Sequence, residues 1–205
     1  MKSSTNYEKA VEGAKVLFLA HDPARIAYPV DYDGTTLSLR FVDRRYRINC
    51  ADGSVTCPDH PGYSPGHDEI MSMWDMLTFA ATRPSLRHQW IQTGSLSGIT
   101  SGHDDSYLIT QFRKAVSSSF KKLEQARLEL GGKKDSGADF AMVIPVFDWF
   151  PCRFCFWEAD DEFDSQAVFY WDANARQFVH YETLWFMNMY LSQRIWAAVE
   201  GRAWG

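Results

Sequence analysis

Apolar residues recur at three- and four-residue spacing in four stretches of the chain, which is the pattern of amphipathic helices. The stretches are residues 7–20, 67–82 and 107–130, and a last one that begins near Glu182. The third stretch shows the cleanest pattern of the four, and Gly131-Gly132 follows it as a helix C-cap. The pattern predicts four helices, and the third of them is expected to be continuous from 107 to 130.

Apolar and polar residues alternate near the start of the chain, which is the two-residue period of half-buried strands. Leu37, Leu39 and Phe41 alternate with polar residues in the first of these strands. Asp52-Gly53 is a strong hairpin-turn signal before a last short strand. Residues 35–57 are therefore predicted to form an antiparallel meander.

A second group of strands is predicted in the last third of the chain. Residues 140–146 are apolar on both faces, as expected for a central strand. An acidic segment, 160–164, separates two strand-like runs, 154–158 and 167–172, so they predict a hairpin with an acidic loop. Residues 133–137 are read as a polar link between the third helix and these strands.

Two further segments are predicted to be loops. Residues 58–66 are rich in Pro and Gly, and residues 93–105 are rich in Gly and Ser. We expect the second segment to be a mobile surface loop, because it has few apolar anchors.

The order of these elements favours an α+β fold. Strands do not alternate regularly with helices, which makes a doubly wound parallel sheet a poor fit. The expected architecture is a mostly antiparallel twisted sheet covered by three or four helices. No repeat and no change of composition divides the 205 residues, so residues 1–205 are expected to form a single domain.

Composition and charge exclude some classes of protein. The net charge of −5 argues against nucleic acid as a partner, because phosphate binding requires a basic surface. No apolar stretch reaches the roughly 18 residues that span a bilayer, and no secretory signal is recognisable. The expected location is the cytoplasm, without membrane association. The aromatic fraction of 15% fits either a thick core or an aromatic-lined pocket.

Four cysteines form two pairs along the chain. Cys152 and Cys155 have C-x-x-C spacing, and Cys50 and Cys57 flank the turn of the meander. Four thiolates can hold zinc, and C-x-x-C pairs at helix starts are redox-active. However, the C-x-x-C pair is predicted to lie on a strand, where Cys152 and Cys155 would point to opposite faces. Core packing is therefore favoured over a metal or redox site, and no metal is assigned.

Three segments of the C-terminal part of the chain are distinctive: Trp157-Glu-Ala-Asp-Asp-Glu-Phe163, Phe169-Tyr-Trp-Asp-Ala-Asn-Ala175 and Glu182-Thr-Leu184. They resemble the C-terminal signature of an uncharacterised bacterial domain family that is found mainly in anaerobes, and the resemblance extends over most of the chain, including the meander. Some members are described as iron–sulfur proteins because of an additional cysteine-rich segment, which this chain lacks. The resemblance implies a fold and a lineage without a known reaction. It directs interest to five candidate ligand-binding residues: Trp157, Asp161, Glu162, Asp172 and Glu182.

Two classes of function remain open. No nucleophile elbow, phosphate loop or dinucleotide fingerprint is present, so catalytic residues and cofactor are unknown. The favoured hypothesis is a non-catalytic module that binds a small molecule or a protein in anaerobic metabolism. The alternative is a metal-dependent enzyme that uses the acidic hairpin loop with a histidine. That loop lacks the Gly and Glu of an EF-hand, and a solvated loop explains its charge equally well.

The last predicted helix is apolar on more than one face. Besides its inward stripe, it carries Trp185, Phe186, Met189 and Trp196 on other faces. Such a helix is either enclosed by the chain itself or covered by a partner. A homodimer through the C-terminal helix is therefore a hypothesis. The ligand of the small-molecule hypothesis is not identified by the sequence.

Overall fold

A computed structural model describes residues 6–97, 107–118 and 120–204. Within these residues there are five α-helices and nine strands, and the strands form two antiparallel sheets. The expected α+β class is confirmed, although the strands form two sheets where one was expected. The helices are α1 (Asn6–Ala20), α2 (His67–Thr78), α3 (Tyr107–Ser118), α4 (Leu123–Glu129) and α5 (Tyr181–Glu200). No helix of the described residues is long and apolar enough to cross a membrane.

The first sheet is the meander that the alternating pattern predicts. Its strands are β1 (Asp31–Tyr32), β2 (Thr36–Phe41), β3 (Arg44–Asn49) and β4 (Val55–Thr56), and they pair in that order. Alternate residues of β3 are buried, beginning with Arg44, and the residues between them are exposed. An arginine thus occupies the first inward position of a half-buried strand, where an apolar residue is the usual choice.

The second sheet has the order β5-β9-β8-β7-β6. Its strands are β5 (Trp90–Gln92), β6 (Lys133–Asp135), β7 (Phe140–Phe147), β8 (Phe150–Trp157) and β9 (Gln166–Asp172). The interpretation of 133–137 as a link was wrong, because Lys133–Asp135 pairs with β7 as an edge strand. Charged residues are common on such edges, since they discourage pairing with other chains. The strand β7 is internal, as expected, but β8 is the middle strand.

The two sheets meet at the turn between β2 and β3. Val42 is fully buried there and has a φ of 56°, and its backbone N–H donates to the carbonyl of Val146 at 2.7 Å. Positive φ is uncommon for a β-branched residue and is strained. Arg40 forms a salt bridge with Asp148 beside this contact. These contacts join the meander to the end of β7, while each sheet keeps its own hydrogen-bond ladder.

The prediction of one helix over 107–130 was wrong, because the helix is interrupted after Ser118. A 3₁₀ turn, Phe120–Lys122, separates α3 from α4. The Ser117 hydroxyl donates to the carbonyl of Arg113 at 2.9 Å, a back-bond that bends helices. The apolar face continues across the interruption. Hydrophobic periodicity reports burial and does not require that the helix axis be continuous.

Buried apolar residues form one cluster that includes both sheets and the helices. The five-stranded sheet contributes one face to this cluster, with Phe150, Cys152, Phe154 and Phe156 of β8 pointing inward. Its opposite face is half-exposed and carries Arg153. The helix α5 is buried on several sides, and α2 packs against both α1 and α5. The packing of these three helices produces the groove described next.

Candidate functional site

A groove lies between α1, α2 and α5. It has a volume of about 420 Å³, which is within the range of small-molecule sites. Most of its lining is apolar, and a few polar groups stand at its rim. The lining residues are Gly13, Ala14, Leu17, Met71, Asp75, Thr78, His180, Glu182, Thr183 and Phe186. Among the described cavities, this one best fits the general form of a small-molecule site.

Small residues on α1 keep this groove open. Gly13 and Ala14 face a helix pair whose own side chains include Met71 and Phe186. A Cβ placed on Gly13 would meet no atom within 4 Å, so close packing does not require glycine there. Glycine inside a helix costs about 0.5–1 kcal/mol relative to alanine. A larger side chain at position 13 can therefore occupy the space above Gly13.

Asp75 is the central polar group of the groove. Its carboxylate accepts the backbone N–H of His180 at 2.9 Å and the Thr183 hydroxyl at 2.6 Å. The second oxygen pairs with Nδ1 of His180 at 2.6 Å. His180 is the N-cap residue of α5 and makes no capping bond with its own side chain. Asp75 therefore caps α5 from another helix, where the helix dipole favours a negative charge.

The same contact orients the imidazole of His180. Because a carboxylate accepts at Nδ1, the neutral ring carries its hydrogen there and keeps a lone pair on Nε2. The Phe79 ring meets the imidazole edge-on with centroids 4.4 Å apart. The His180 side chain is 57% exposed, whereas that of Asp75 is only 12% exposed. In the neutral ring, Nε2 is thus an oriented hydrogen-bond acceptor at the rim of the groove.

An Asp–His pair is also part of many catalytic sites, where the histidine activates a nucleophile. The hydroxyl groups in this groove have other partners. The Thr78 hydroxyl donates to the carbonyl of Trp74 at 2.9 Å, and that of Thr183 donates to Asp75. No cysteine or serine is among the described lining residues. The hydroxyl groups in the described lining thus already donate to other acceptors.

Of the five candidate ligand residues from the sequence, Glu182 borders the groove. It lies in the first turn of α5 and is exposed, so its carboxylate faces the rim without a described hydrogen bond. The helix N-terminus explains a carboxylate at this position by itself. Its place beside His180 adds a second acceptor to the rim of the groove.

Asp172 has a structural role at the end of β9. It is 2% exposed, and its carboxylate accepts backbone N–H groups of Arg87 at 2.9 Å, His88 at 2.6 Å and Asn174 at 2.9 Å. His88 has a φ of 56°, a left-handed conformation that is uncommon outside glycine but that histidine adopts more readily than most residues. The oxygens of Asp172 thus anchor the segment that precedes β5 and the turn that follows β9.

Trp157, Asp161 and Glu162 lie at the opposite end of the same hairpin. Trp157 pairs with Gln166, and Asp172 is at the far end of a seven-residue strand, roughly 20 Å away. Asp161 and Glu162 are exposed. The structure therefore does not bring the five candidate residues together into one site.

The acidic loop uses one of its carboxylates for its own backbone. Asp160 accepts from the N–H groups of Glu162 at 2.9 Å and Phe163 at 2.7 Å, and these bonds lower its pKa. Among the described residues, no group of three or more His, Cys, Asp or Glu side chains is placed to hold a metal ion. The loop thus has the geometry of a solvated turn, and the metal-dependent alternative gains no support from it.

The four cysteines are free thiols. Cys152 lies in the core cluster, while Cys155 is buried on the opposite face of β8, as strand geometry predicts. Burial raises the pKa of both thiols, so their reactive thiolate forms are disfavoured. Cys57 is buried and Cys50 half-buried beside the meander. These environments are those of packing residues.

Sequence reasoning missed the pairing of Asp75 with His180, which are 105 residues apart. The available signal was a carboxylate inside the apolar segment Met73-Trp74-Asp75-Met76-Leu77. A charged residue in such a segment needs a partner when the helix is buried. Nothing in the spacing identified His180 as that partner.

A family model described as a domain of unknown function matches residues 22–194. The match covers most of the chain, including both sheets. The resemblance to an uncharacterised domain family is therefore confirmed at that level. No curated protein matches the chain, and no solved structure matches it.

Proposed function

Because the chain belongs to the family described as a domain of unknown function, DUF3786, we propose its function from the groove between α1, α2 and α5. The protein is a non-catalytic binding module for a small molecule. One observation carries the proposal: an apolar groove of about 420 Å³ has an oriented imidazole and a free carboxylate at its rim. Apolar walls supply affinity, and a few fixed polar groups supply specificity.

The lining indicates the chemistry of the ligand. The groove contains two carboxylates, Asp75 and Glu182, and the described lining residues include no lysine or arginine. His180 Nε2 and the Glu182 carboxylate are both hydrogen-bond acceptors. The ligand we propose has an apolar body and a donor group, such as an alcohol or an amine. An anionic head group would be repelled.

Blocking the groove tests this proposal. Nile red serves as a neutral apolar probe whose fluorescence reports burial, and Gly13→Phe fills the groove. The control, Glu12→Phe, adds the same ring at the adjacent exposed position. We expect at least a tenfold weaker affinity in Gly13→Phe and an unchanged one in Glu12→Phe. Equal affinity in both variants would show that the dye binds elsewhere and would overturn the proposal.

Competition between two amphiphiles tests the polar rim. Decylamine and decanoate have equal chain lengths and opposite charges, so their difference in displacing Nile red isolates the head group. Decylamine should compete several-fold better, and Glu182→Gln should remove most of this advantage. A preference for decanoate would contradict the proposed ligand class.

A protein partner is the second candidate for the same surface. Val16 and Leu17 of α1 are 57% and 64% exposed beside the groove, and an apolar row of this kind suits a protein interface. The homodimer through α5 belongs to this candidate. Trp185, Phe186 and Trp196 are half-buried within the chain, so a dimer would add α1 to the interface. Sedimentation of the wild type as a monomer at high micromolar concentration would exclude the homodimer.

Domain organisation, location and nucleic-acid binding complete the proposal. We propose that residues 1–205 act as one domain in the cytoplasm of an anaerobic bacterium, without a nucleic-acid partner. The continuous core cluster supports the single domain. The net charge of −5 argues against a nucleic-acid partner. The metal-dependent enzyme stays the alternative. Stoichiometric metal in protein purified without added metal, lost in an Asp161→Ala, Glu162→Ala variant, would favour that alternative.

A further inference from the structure

Arg44 is a buried cation with spare hydrogen-bond donors. It is 5% exposed, and its guanidinium lies over the ring of Tyr63 at 4.3 Å from the centroid. Nη2 donates to the backbone carbonyl of Trp204. Nε and Nη1 are buried and have no hydrogen-bond partner in the described part of the chain. Burial of a charge is costly unless that charge is paired.

Two other arginines beside Arg44 have carboxylate partners. Arg194 holds Asp43 through two bonds, of 2.5 and 2.7 Å, and Arg202 holds Glu200 at 2.5 Å. No salt bridge of Arg44 is found among the described residues. Of these three arginines, Arg44 is thus the one without a described carboxylate partner.

These three arginines border a groove at the end of α5. The groove has a volume of about 480 Å³, and residues 201–204 form part of its wall. Two carboxylates also line it: Asp43 pairs with Arg194, and Glu129 accepts a hydrogen bond from the neutral amide of Gln125 at 2.9 Å and keeps its charge. The lining thus has three arginines against two carboxylates, and the guanidinium donors without a described partner belong to Arg44.

The contact with Trp204 shows that an oxygen acceptor reaches the Arg44 guanidinium from the side of the groove. A neutral carbonyl makes a weaker bond to guanidinium than a charged oxygen does, because charge-assisted bonds are roughly twice as strong. The Trp204 ring packs edge-on against Tyr190 and lies 5.5 Å from Arg194 Cζ. The Trp204 carbonyl thus occupies a position where a charged oxygen would be a stronger acceptor for Arg44.

We propose that this groove binds the oxyanion of a small molecule, a carboxylate or a phosphate group, at Arg44. The oxyanion replaces the Trp204 carbonyl as the acceptor, so binding shifts residues 201–204. This site is separate from the apolar groove. His180 and Arg194 are roughly 20 Å apart along α5, and the two grooves prefer ligands of opposite charge.

The test uses simple anions on the whole protein. Sodium phosphate and sodium acetate are titrated at constant ionic strength, with sodium chloride as the baseline, and binding is followed by calorimetry and by tryptophan fluorescence. The variants are Arg44→Gln and its matched control Arg45→Gln. Arg45 is the next residue, it is exposed on the opposite face of β3, and its loss changes the net charge equally.

We expect at least a tenfold loss of affinity in Arg44→Gln and less than a twofold change in Arg45→Gln. Binding of phosphate alone identifies a phosphoryl ligand, binding of acetate alone identifies a carboxylate, and either result supports the site. No binding above the chloride baseline overturns the proposal. An equal loss in both variants overturns it as well, because the effect is then net charge.

Arg44→Lys covers the case in which Arg44→Gln does not fold. Lysine keeps the charge but loses the planar fork that suits oxyanions. A three- to tenfold weaker affinity in Arg44→Lys supports the site. Unchanged affinity in Arg44→Met, which removes the charge and keeps most of the side-chain volume, with circular dichroism like that of the wild type, would show that Arg44 has only a packing role.

Discussion

The buried charges at the two ends of α5 differ in how many hydrogen-bond partners they have. At the N-terminal end, Asp75 has partners for both carboxylate oxygens. At the C-terminal end, Arg44 has one hydrogen bond and two donors without a described partner. A satisfied buried charge stabilises the fold, whereas an unsatisfied one costs stability. Asp75 therefore orders the groove that it borders, whereas Arg44 keeps donors that a ligand could use.

Removal of the satisfied charge should have the largest effect. In Asp75→Ala, the backbone N–H of His180 and the Thr183 hydroxyl lose their acceptor, and α5 loses its cap. We expect the free energy of unfolding to fall by about 3 kcal/mol. Urea denaturation measures it, with Asp164→Ala in the exposed loop as a control that should change little. A loss below about 1 kcal/mol in Asp75→Ala would remove the distinction between the two ends.

Two of the three arginines that border the groove at the end of α5 extend the comparison. Arg194→Met leaves Asp43 without its partner, so the free energy of unfolding should fall by about 2–3 kcal/mol. Arg44→Met removes an unpaired charge and keeps most of the side-chain volume. Its stability should change by less than about 1 kcal/mol, or should rise. Equal losses in the two variants would mean that Arg44 is as well satisfied as Arg194.

A carboxylate on α2 provides a third case. Asp68 lies two turns before Asp75, and the described residues donate no hydrogen bond to its side chain. Burial, with a smaller contribution from Glu69, raises the pKa of Asp68 to about 6. The folded protein then binds a proton more tightly than the unfolded chain does. Stability should fall as pH rises from about 4 to about 6, and the cost should be fully present above that window.

Asp68→Asn tests this pH dependence. At pH 7 the variant should be more stable than the wild type by about 1–2 kcal/mol, a value discounted for the partial exposure of the group. At pH 4 the two proteins should be nearly equal, since Asp68 is then largely protonated in the folded state. Thermal unfolding at several pH values measures the difference. A gap that is the same at pH 4 and pH 7 would show that ionisation of Asp68 is not its cause.

The smallest effect concerns the apolar groove. Gly13→Ala should stabilise the protein by about 0.5–1 kcal/mol, because alanine is the better helix former and its Cβ meets no atom within 4 Å. Thermal unfolding measures this gain. The affinity for Nile red should stay within about twofold of that of the wild type. A destabilised Gly13→Ala would mean that the space above Gly13 is needed for packing.

Several features followed from local pattern alone. The meander, the closing hairpin and the opposite faces of Cys152 and Cys155 all depend on the two-residue period of a strand. The position of α5 follows from its apolar spacing. Segment 93–105 is a partial case: Thr93–Ser97 is a 3₁₀ helix where a loop was expected, and residues 98–105 lie outside the described residues.

The amino-acid sequence by itself determined the type and approximate place of most elements, because burial periodicity is encoded by residues a few positions apart. Tertiary structure decided which distant groups meet. Packing between finished helices and sheets determines three features: the Asp75–His180 pair, the burial of Arg44 and the division into two sheets at Val42. Those contacts join residues about a hundred positions apart, and no local spacing specifies them. Both candidate sites are of this kind, so they became visible only in the folded chain.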